Sequence, residues 1–417
     1  MRAFAALLVA GALVVATRAA DDRGQGAPGV VDRGKGAPGV VDHPLPRAAP
    51  ESVGLAPARL RLATDLLNQF VTEHKIAGAV AAVARRGKLA YLEAVGFQDL
   101  ETRTPMDVRS VFRIYSMTKS VTAVAVMMLH EEGRFALQDP VSKYLPEFQR
   151  VTVQSAGGTT RPPARAITVE DLLLHTSGLS HRTSEIYRQA QVRSRAIGLP
   201  QFVENIVRVP LMEDPHTAFR YSEATTVLGR LVEIWSGKAL EVFLEERVFR
   251  PLRMIDTSFW VSPDRRARLT RVYASSPNGL TPFEIEAVPF TERPALIEGA
   301  VGLVSTVPDY LRFSQMLLNK GELEGARILK AATVATMTVN GLPGAILEVR
   351  KGTGWGLANV NVAANGEYGW DGTAGTIFWI DPGEEMITLL MTQSSPPNPD
   401  SLRQRFKALV QQSLADP

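Results

Sequence analysis

Ser116-Met117-Thr118-Lys119 opens the stretch SMTKSVTAVAVMMLHEEG, residues 116–133, whose reading decides the fold. From 117 to 132 the stretch is apolar almost without interruption, on every face that a helix would present. A helix of that kind is buried all round. Glu131, Glu132 and Gly133 end it, and Gly133 suits the left-handed turn that closes a helix. Ser116 and Lys119 stand three residues apart at its start. On a helix they lie on nearly the same face, roughly 4.5 Å apart along the axis, so hydroxyl and amine can share a hydrogen bond. The first turn also offers free N–H groups and a partial positive charge, which suit a developing oxyanion. A free lysine, with a pKa of about 10.4, is a poor base at neutral pH, but burial favours its neutral form. S-x-x-K spacing alone is common and usually marks a solvated face. The apolar run behind Lys119, where an unpaired charge is costly, sets this pair apart as nucleophile and base.

Around this helix, residues 51–71 (ESVGLAPARLRLATDLLNQFV) have helical periodicity with a proline near the start. AGAVAAVARRGKLAYLEAVG (77–96) reads as a β-hairpin turning at Arg85, Arg86 and Gly87. Residues 137–289 change character: helical segments at 167–174, 199–207 and 224–235 alternate with Pro-rich loops. Strand alternation is absent there apart from the surroundings of Val272. A turn (299–305) and a helix (308–318) follow. Two strands, 376–381 and 386–391, are joined by Pro382-Gly383-Glu384, and a last helix covers 401–414. The expected fold class is α/β (α+β): an antiparallel sheet flanked by helices, built from 50–136 and 290–417, with 137–289 inserted as a helical domain.

Upstream, Arg2, the apolar residues 5–16 and the small residues Thr17 and Ala19 have the form of a cleavable signal peptide over 1–20. The apolar stretch is short for a membrane span of roughly 20 residues. A secreted or periplasmic protein is expected, with no stable membrane insertion after cleavage. DRGQGAPGVV and DRGKGAPGVV repeat in tandem over 22–41, and their Gly and Pro content marks 21–49 as a flexible linker.

The 417 residues are 45% hydrophobic and 21% charged, an ordinary globular composition. Basic and acidic side chains number 46 and 43, a net charge of +3, and no dense basic run exists; no nucleic-acid partner is expected. The absence of cysteine excludes disulfides, a thiol nucleophile and cysteine-ligated metal. His43, His74, His130, His175, His181 and His216 form no HExxH or HxH pair, so neither metal nor cofactor is expected. No G-x-S-x-G occurs, which leaves an α/β-hydrolase nucleophile elbow without support.

Two further segments carry chemistry. Tyr221-Ser222-Glu223 precedes a helix. A phenol near a lysine can act as general base; alternatively Tyr221 packs at a helix start with Ser222 as N-cap. Tyr368-Gly369-Trp370-Asp371-Gly372-Thr373-Ala374-Gly375-Thr376 leads into a strand. Its glycines either let backbone N–H groups approach an oxyanion or simply open a hairpin.

In this order, SMTK, Tyr221-Ser222-Glu223 and Trp370-Asp371-Gly372 resemble the three motifs of the serine β-lactamase and penicillin-binding-protein superfamily. LLLHTSGL (172–179), GAVGLVST (299–306) and DYLRFSQMLL (309–318) extend the resemblance over most of the chain. Within it the chain looks like the class C β-lactamase-related, family VIII carboxylesterases. Where a β-lactamase has the asparagine of Y-x-N this chain has Glu223, and where it has the lysine of K-T-G this chain has Trp370. Loss of that cation removes a partner for an anionic substrate and favours neutral, hydrophobic acyl groups. The resemblance implies Ser116 as nucleophile, Lys119 and Tyr221 as proton carriers, and the N–H groups of Ser116 and Thr373 as oxyanion hole. Trp370, Asp371, Gly372 and Glu223 would border the substrate. The implied function is hydrolysis of short- to medium-chain carboxylic esters, small-molecule substrates, through an acyl-enzyme, with weak β-lactam hydrolysis as a side activity. A β-lactamase or D-amino-acid peptidase is the alternative. A silent penicillin sensor is disfavoured by the presence of all three of Ser116, Lys119 and Tyr221. Acyl transfer to an alcohol and the oligomeric state stay open.

Overall fold

Strand β1 (Gly78–Arg85) is buried along its whole length. Its residues alternate between two cores, which is why the run is apolar throughout rather than every second residue. Ala79, Ala81 and Val83 face a cluster with Leu60, Leu67, Phe70, Phe406 and Val410. Val80, Ala82 and Ala84 face the main core with Val121, Val124 and Leu311. The architecture follows: a sheet with helices on both faces, as expected, in a computed structural model that describes residues 45–276, 279–285 and 290–414. The signal segment 1–20 and the tandem repeats lie outside the described residues.

The hairpin is completed by β2 (Lys88–Asp99), with Arg86 and Gly87 both at positive φ, 52° and 72°. Two successive left-handed residues make the turn whose twist matches a two-residue hairpin. A short β3 (Thr104–Pro105) and the C-terminal strands β4 (Gly354–Gly356), β5 (Val360–Val362), β6 (Tyr368–Asp371), β7 (Ile377–Asp381) and β8 (Met386–Thr392) make up the rest. The eight strands run in the order β4-β5-β6-β7-β8-β1-β2-β3, every neighbour antiparallel. Helix α1 (Pro57–Thr72) begins with proline at its first position.

Helix α2 (Thr118–Glu131) is buried from Thr118 to Leu129. Its many valines and threonines have modest helix propensity, so burial rather than propensity holds it helical. Gly133, at φ 71°, closes it. The middle of the chain supplies α3 (Val169–Leu173), α4 (Leu199–Ile206) and α5 (Ala224–Ser236), close to the expected positions. After it come α6 (Val307–Leu318) and α7 (Leu402–Gln411).

Two expectations need correction. The middle segment holds one strand pair outside the surroundings of Val272, Val153–Gln154 with Thr160–Arg161; near Val272, where the sequence allows for strands, Tyr273–Ser276 pairs with Gly279–Pro282 and, in parallel, with Ser394–Ser395. Such short pairings leave no alternation to read. The main core also runs without a break from Val121 of α2 to Leu228 of α5, so the helical segment shares its interior with the sheet. The expected linker, in turn, ends before residue 49. Leu45 is buried, and the Leu89 N–H donates to Pro46 O at 2.9 Å while the Ala48 N–H donates to Leu89 O at 3.0 Å. Prolines hold this segment extended, the conformation needed to lie along the start of β2. Among the described residues no helix is long and apolar enough to cross a membrane.

Gly299 marks the crossing of α2 and α5. A Cβ there would sit 2.8 Å from Thr225 O and 3.1 Å from Thr122 Cγ2. Gly299→Ala is expected to destabilise the fold by about 1–3 kcal/mol, the usual cost of overpacking. An unchanged urea midpoint would show that the crossing can yield.

Candidate active site

The nucleophile candidate lies where a strained turn meets the buried helix. Tyr115 enters at φ 41°, a left-handed conformation rare outside glycine. A 3-10 turn, Tyr115–Met117, then carries Ser116 into α2. Side-chain and backbone contacts pin this junction. Tyr310 Oη donates to Met117 O at 3.0 Å, the Leu303 N–H to Thr118 Oγ1 at 3.1 Å, and the Ile114 N–H to Leu303 O at 3.1 Å. The segment 299–306 thus wraps the start of α2.

Lys119 Nζ lies 3.3 Å from Ser116 Oγ and donates to Ala300 O at 3.0 Å. It also sits 4.6 Å from the centre of the Tyr221 ring. Burial lowers the Lys119 pKa to about 7, against an upward pull from Glu223 and a further lowering by Arg182. Its neutral form is therefore within reach near neutral pH.

Tyr221 arrives from the loop before α5. The LLLHTSGL segment holds that loop. Gly178 takes φ 80°, as expected of a left-handed turn, and His175 O accepts from the Arg220 N–H at 2.8 Å. His175 Nδ1 meets Ser222 Oγ at 3.1 Å. Ser222 is thereby engaged with His175, and Glu223 takes the N-cap position of α5. The Tyr221 phenol lies beside Ser116 and accepts from Trp370 Nε1 at 3.0 Å. An indole N–H can only donate, so the phenol oxygen accepts there and its own O–H is left for Ser116. Burial pushes the phenol pKa up, against the lowering by Ser116 and Trp370. Its resting form is the neutral phenol.

An aromatic shell surrounds Tyr221: the rings of His175, His181, Trp355 and Trp370 have centroids at 4.8, 5.7, 6.0 and 5.2 Å. Burial lowers the His181 pKa to about 4 and holds His175 well below the usual imidazole value, so both are neutral packing rings at pH 7. Trp355 is anchored by its Nε1, which donates to Leu173 O at 3.1 Å.

Ser116, Lys119, Tyr221 and Trp370 are therefore brought together, and Asp371 is not. On β6 successive side chains point to opposite faces, so Trp370 meets Tyr221 while Asp371 turns away and pairs with Arg403 of α7. Gly372 is pressed against the nucleophile's approach: a Cβ there would overlap Ile114 O and Thr376 Oγ1. Thr373 is exposed in the turn that follows, whose hydrogen bonds are made by the N–H groups of Gly372 and Gly375. Glu223 is buried, accepts from Thr226 Oγ1 at 2.9 Å, and borders a cavity of about 780 Å³ with Arg182, Tyr187, Arg193 and Asn205. A second cavity, of about 570 Å³, is bordered by Trp370, Asp371 and Trp379.

Sequence reasoning passed over Trp355, Ala300 and Arg403. Trp355 alone left a signal, an aromatic between Gly354 and Gly356, where a Cβ at Gly356 would overlap Met337 O. Among the described residues no group of His, Asp or Glu could hold a metal ion.

A serine, a buried lysine and a tyrosine gathered on a helix-flanked antiparallel sheet define a serine hydrolase. The chain belongs to the Beta-lactamase family, which it matches over residues 63–412. It is 34% identical over 347 residues to Protein Rv1367c of Mycobacterium tuberculosis, covering 77% of this chain and 86% of that one. It is 28% identical over 382 residues to Esterase EstB of Burkholderia gladioli, covering 83% and 93%. In fold it is similar to EstCE1, a hydrolase with promiscuous acyltransferase activity (TM-score 0.76, 24% identity, 86% of this chain and 99% of that one).

Lys119 supplies a direct test of the site's electrostatics. Its amine should titrate near pH 7 in lysine-selective NMR, well below the free-lysine value of about 10.4. Glu223 favours the ammonium, so Glu223→Gln should move that titration downward. An unmoved titration would uncouple the two residues.

Proposed function

We propose that the protein is a serine carboxylesterase acting on short- to medium-chain esters through an acyl-enzyme on Ser116. The observation that carries this reading is the buried amine of Lys119, 3.3 Å from Ser116 Oγ and 4.6 Å from the centre of the Tyr221 ring. Similarity to an enzyme named Esterase EstB supports the ester as substrate. The neutral indole of Trp370, standing where a β-lactamase has lysine, supports an uncharged substrate.

In this mechanism Ser116 Oγ attacks the ester carbonyl carbon and gives up its proton. With the lysine near 7 and the phenol raised, Lys119 is the resting base and Tyr221 relays the proton. The carbonyl oxygen takes the negative charge and is held by the N–H groups of Ser116 and Thr373. Collapse breaks the C–O bond to the alcohol, which leaves with the relayed proton. Water then attacks the acyl-serine carbonyl carbon, losing its proton to the Tyr221–Lys119 pair; collapse breaks the C–Oγ bond, the pair returns that proton to Ser116 Oγ, and the carboxylic acid departs. The apolar stretch behind Arg2 supports export as a secreted or periplasmic protein.

Purified protein is expected to hydrolyse p-nitrophenyl acetate and butyrate faster than nitrocefin, and Ser116→Ala to abolish hydrolysis. Equal rates for wild type and Ser116→Ala would refute the mechanism; faster nitrocefin turnover would favour a β-lactamase. Because the neutral amine is the base, kcat/KM should rise with pH along a limb centred near 7 and then level.

A further inference from the structure

The turn that follows Trp370 is held from behind. Arg403, on α7, is 6% exposed. Its Nη1 pairs with Asp371, and its Nη2 donates to Gly372 O at 3.0 Å and to Thr376 O at 3.3 Å. Those two carbonyls also close the turn from within: the Gly372 N–H donates to Thr376 O at 2.8 Å and the Gly375 N–H to Gly372 O at 3.1 Å. One guanidinium thus binds the strand before the turn and both ends of the turn itself, with Thr373 between the ends. On the other side, Gly372 lies so close to Ile114 O that a Cβ would overlap it. Ile114 leads directly into Tyr115 and Ser116. The turn is therefore clamped between the nucleophile's backbone and Arg403.

We infer that Arg403 is a positioning residue for the oxyanion hole, fixing the Thr373 N–H relative to Ser116. This rests on the reading of Ser116 and Thr373 given above. Planarity matters here: a guanidinium can serve a carboxylate and two carbonyls at once through fixed, divergent N–H groups. A lysine ammonium is a single point that reaches fewer of them. A turn released from this clamp leaves the ester binding surfaces in place but misplaces a donor needed only when charge develops on the carbonyl oxygen.

The test compares Arg403→Lys and Asp371→Asn with wild type, with rates expressed per active site after titration of Ser116. Removing an oxyanion donor outright lowers kcat by about 10²–10³. Arg403→Lys should lose about tenfold or more of that, with KM for p-nitrophenyl butyrate changed by no more than about threefold. Inhibition by phenylboronic acid, whose boron takes the Ser116 oxygen to form a tetrahedral anion, should weaken in parallel with kcat. Asp371→Asn weakens one of the three anchors by removing its charge and should shift both in the same direction by less; it carries the test if Arg403→Lys does not fold. A residue that only stabilised the fold would lower the melting temperature and the number of active sites, and leave kcat per site and the boronate Ki unchanged. That result in the folded variants overturns the inference. Ser116→Ala separates the two levels: if it retains activity, the mechanism itself fails, whereas an inactive Ser116→Ala beside unaffected Arg403 and Asp371 variants removes only the role of Arg403.

Discussion

Everything at this site depends on keeping an amine inside a helix that has no polar face. Lys119 lies within the first turn of α2, buried among valines and methionines, and a full charge there lacks the water that would normally solvate it. The surroundings neither abandon nor fully neutralise it. Ala300 O accepts one hydrogen bond, the face of the Tyr221 ring stands 4.6 Å away, and Glu223 favours the charged form while Arg182 opposes it. The balance leaves the proton nearly as easy to lose as to keep. In the proposed mechanism that poise gives Ser116 a base, and it comes from packing: the same apolar surface that holds α2 in the core depresses the amine.

Trp370 fits this constraint. A second ammonium beside Lys119 would disfavour its protonation further and would itself need a counter-charge. The indole contributes one uncharged N–H to the Tyr221 oxygen and an apolar ring to the shell around it. Tyr221 is thus oriented without adding to the local field. Around it, His175 and His181 act as neutral rings, since burial opposes their protonation.

Much of this was legible because it rests on local pattern. All-round apolarity after Ser116 implied a buried helix, and Arg86-Gly87 between apolar runs implied the hairpin. Asp371 reads together with Trp370 as bordering the substrate; once 368–371 is known as a strand, alternation sends the two side chains to opposite faces, Trp370 to Tyr221 and Asp371 to Arg403. The strands Gly354–Gly356 and Val360–Val362 are too short and glycine-rich to show a period, yet they place Trp355 under Tyr221. Arg403 was invisible for a different reason. Its partners, Asp371, Gly372 O and Thr376 O, are distant in sequence and two of them are backbone atoms, which leave no side-chain signature.

The two-faced strand β1 also governs how the chain can reach this state. Its partners are β2, next in sequence, and β8 near the other end, and at its tip the Arg85 guanidinium meets Glu384 across a separation of 299 residues. At the base of the same layer, the Ala56 N–H donates to Ser413 O at 2.6 Å, so the folded chain's beginning and end are stitched together. Contacts of such long range form slowly, because a large loop must close before any of them contributes. Synthesis from the N-terminus therefore leaves β1 with one flank unsatisfied until the last strand emerges, an apolar edge that neighbouring chains can template upon. The order of the strands along the chain thus leaves one flank of β1 open until β8 has been made.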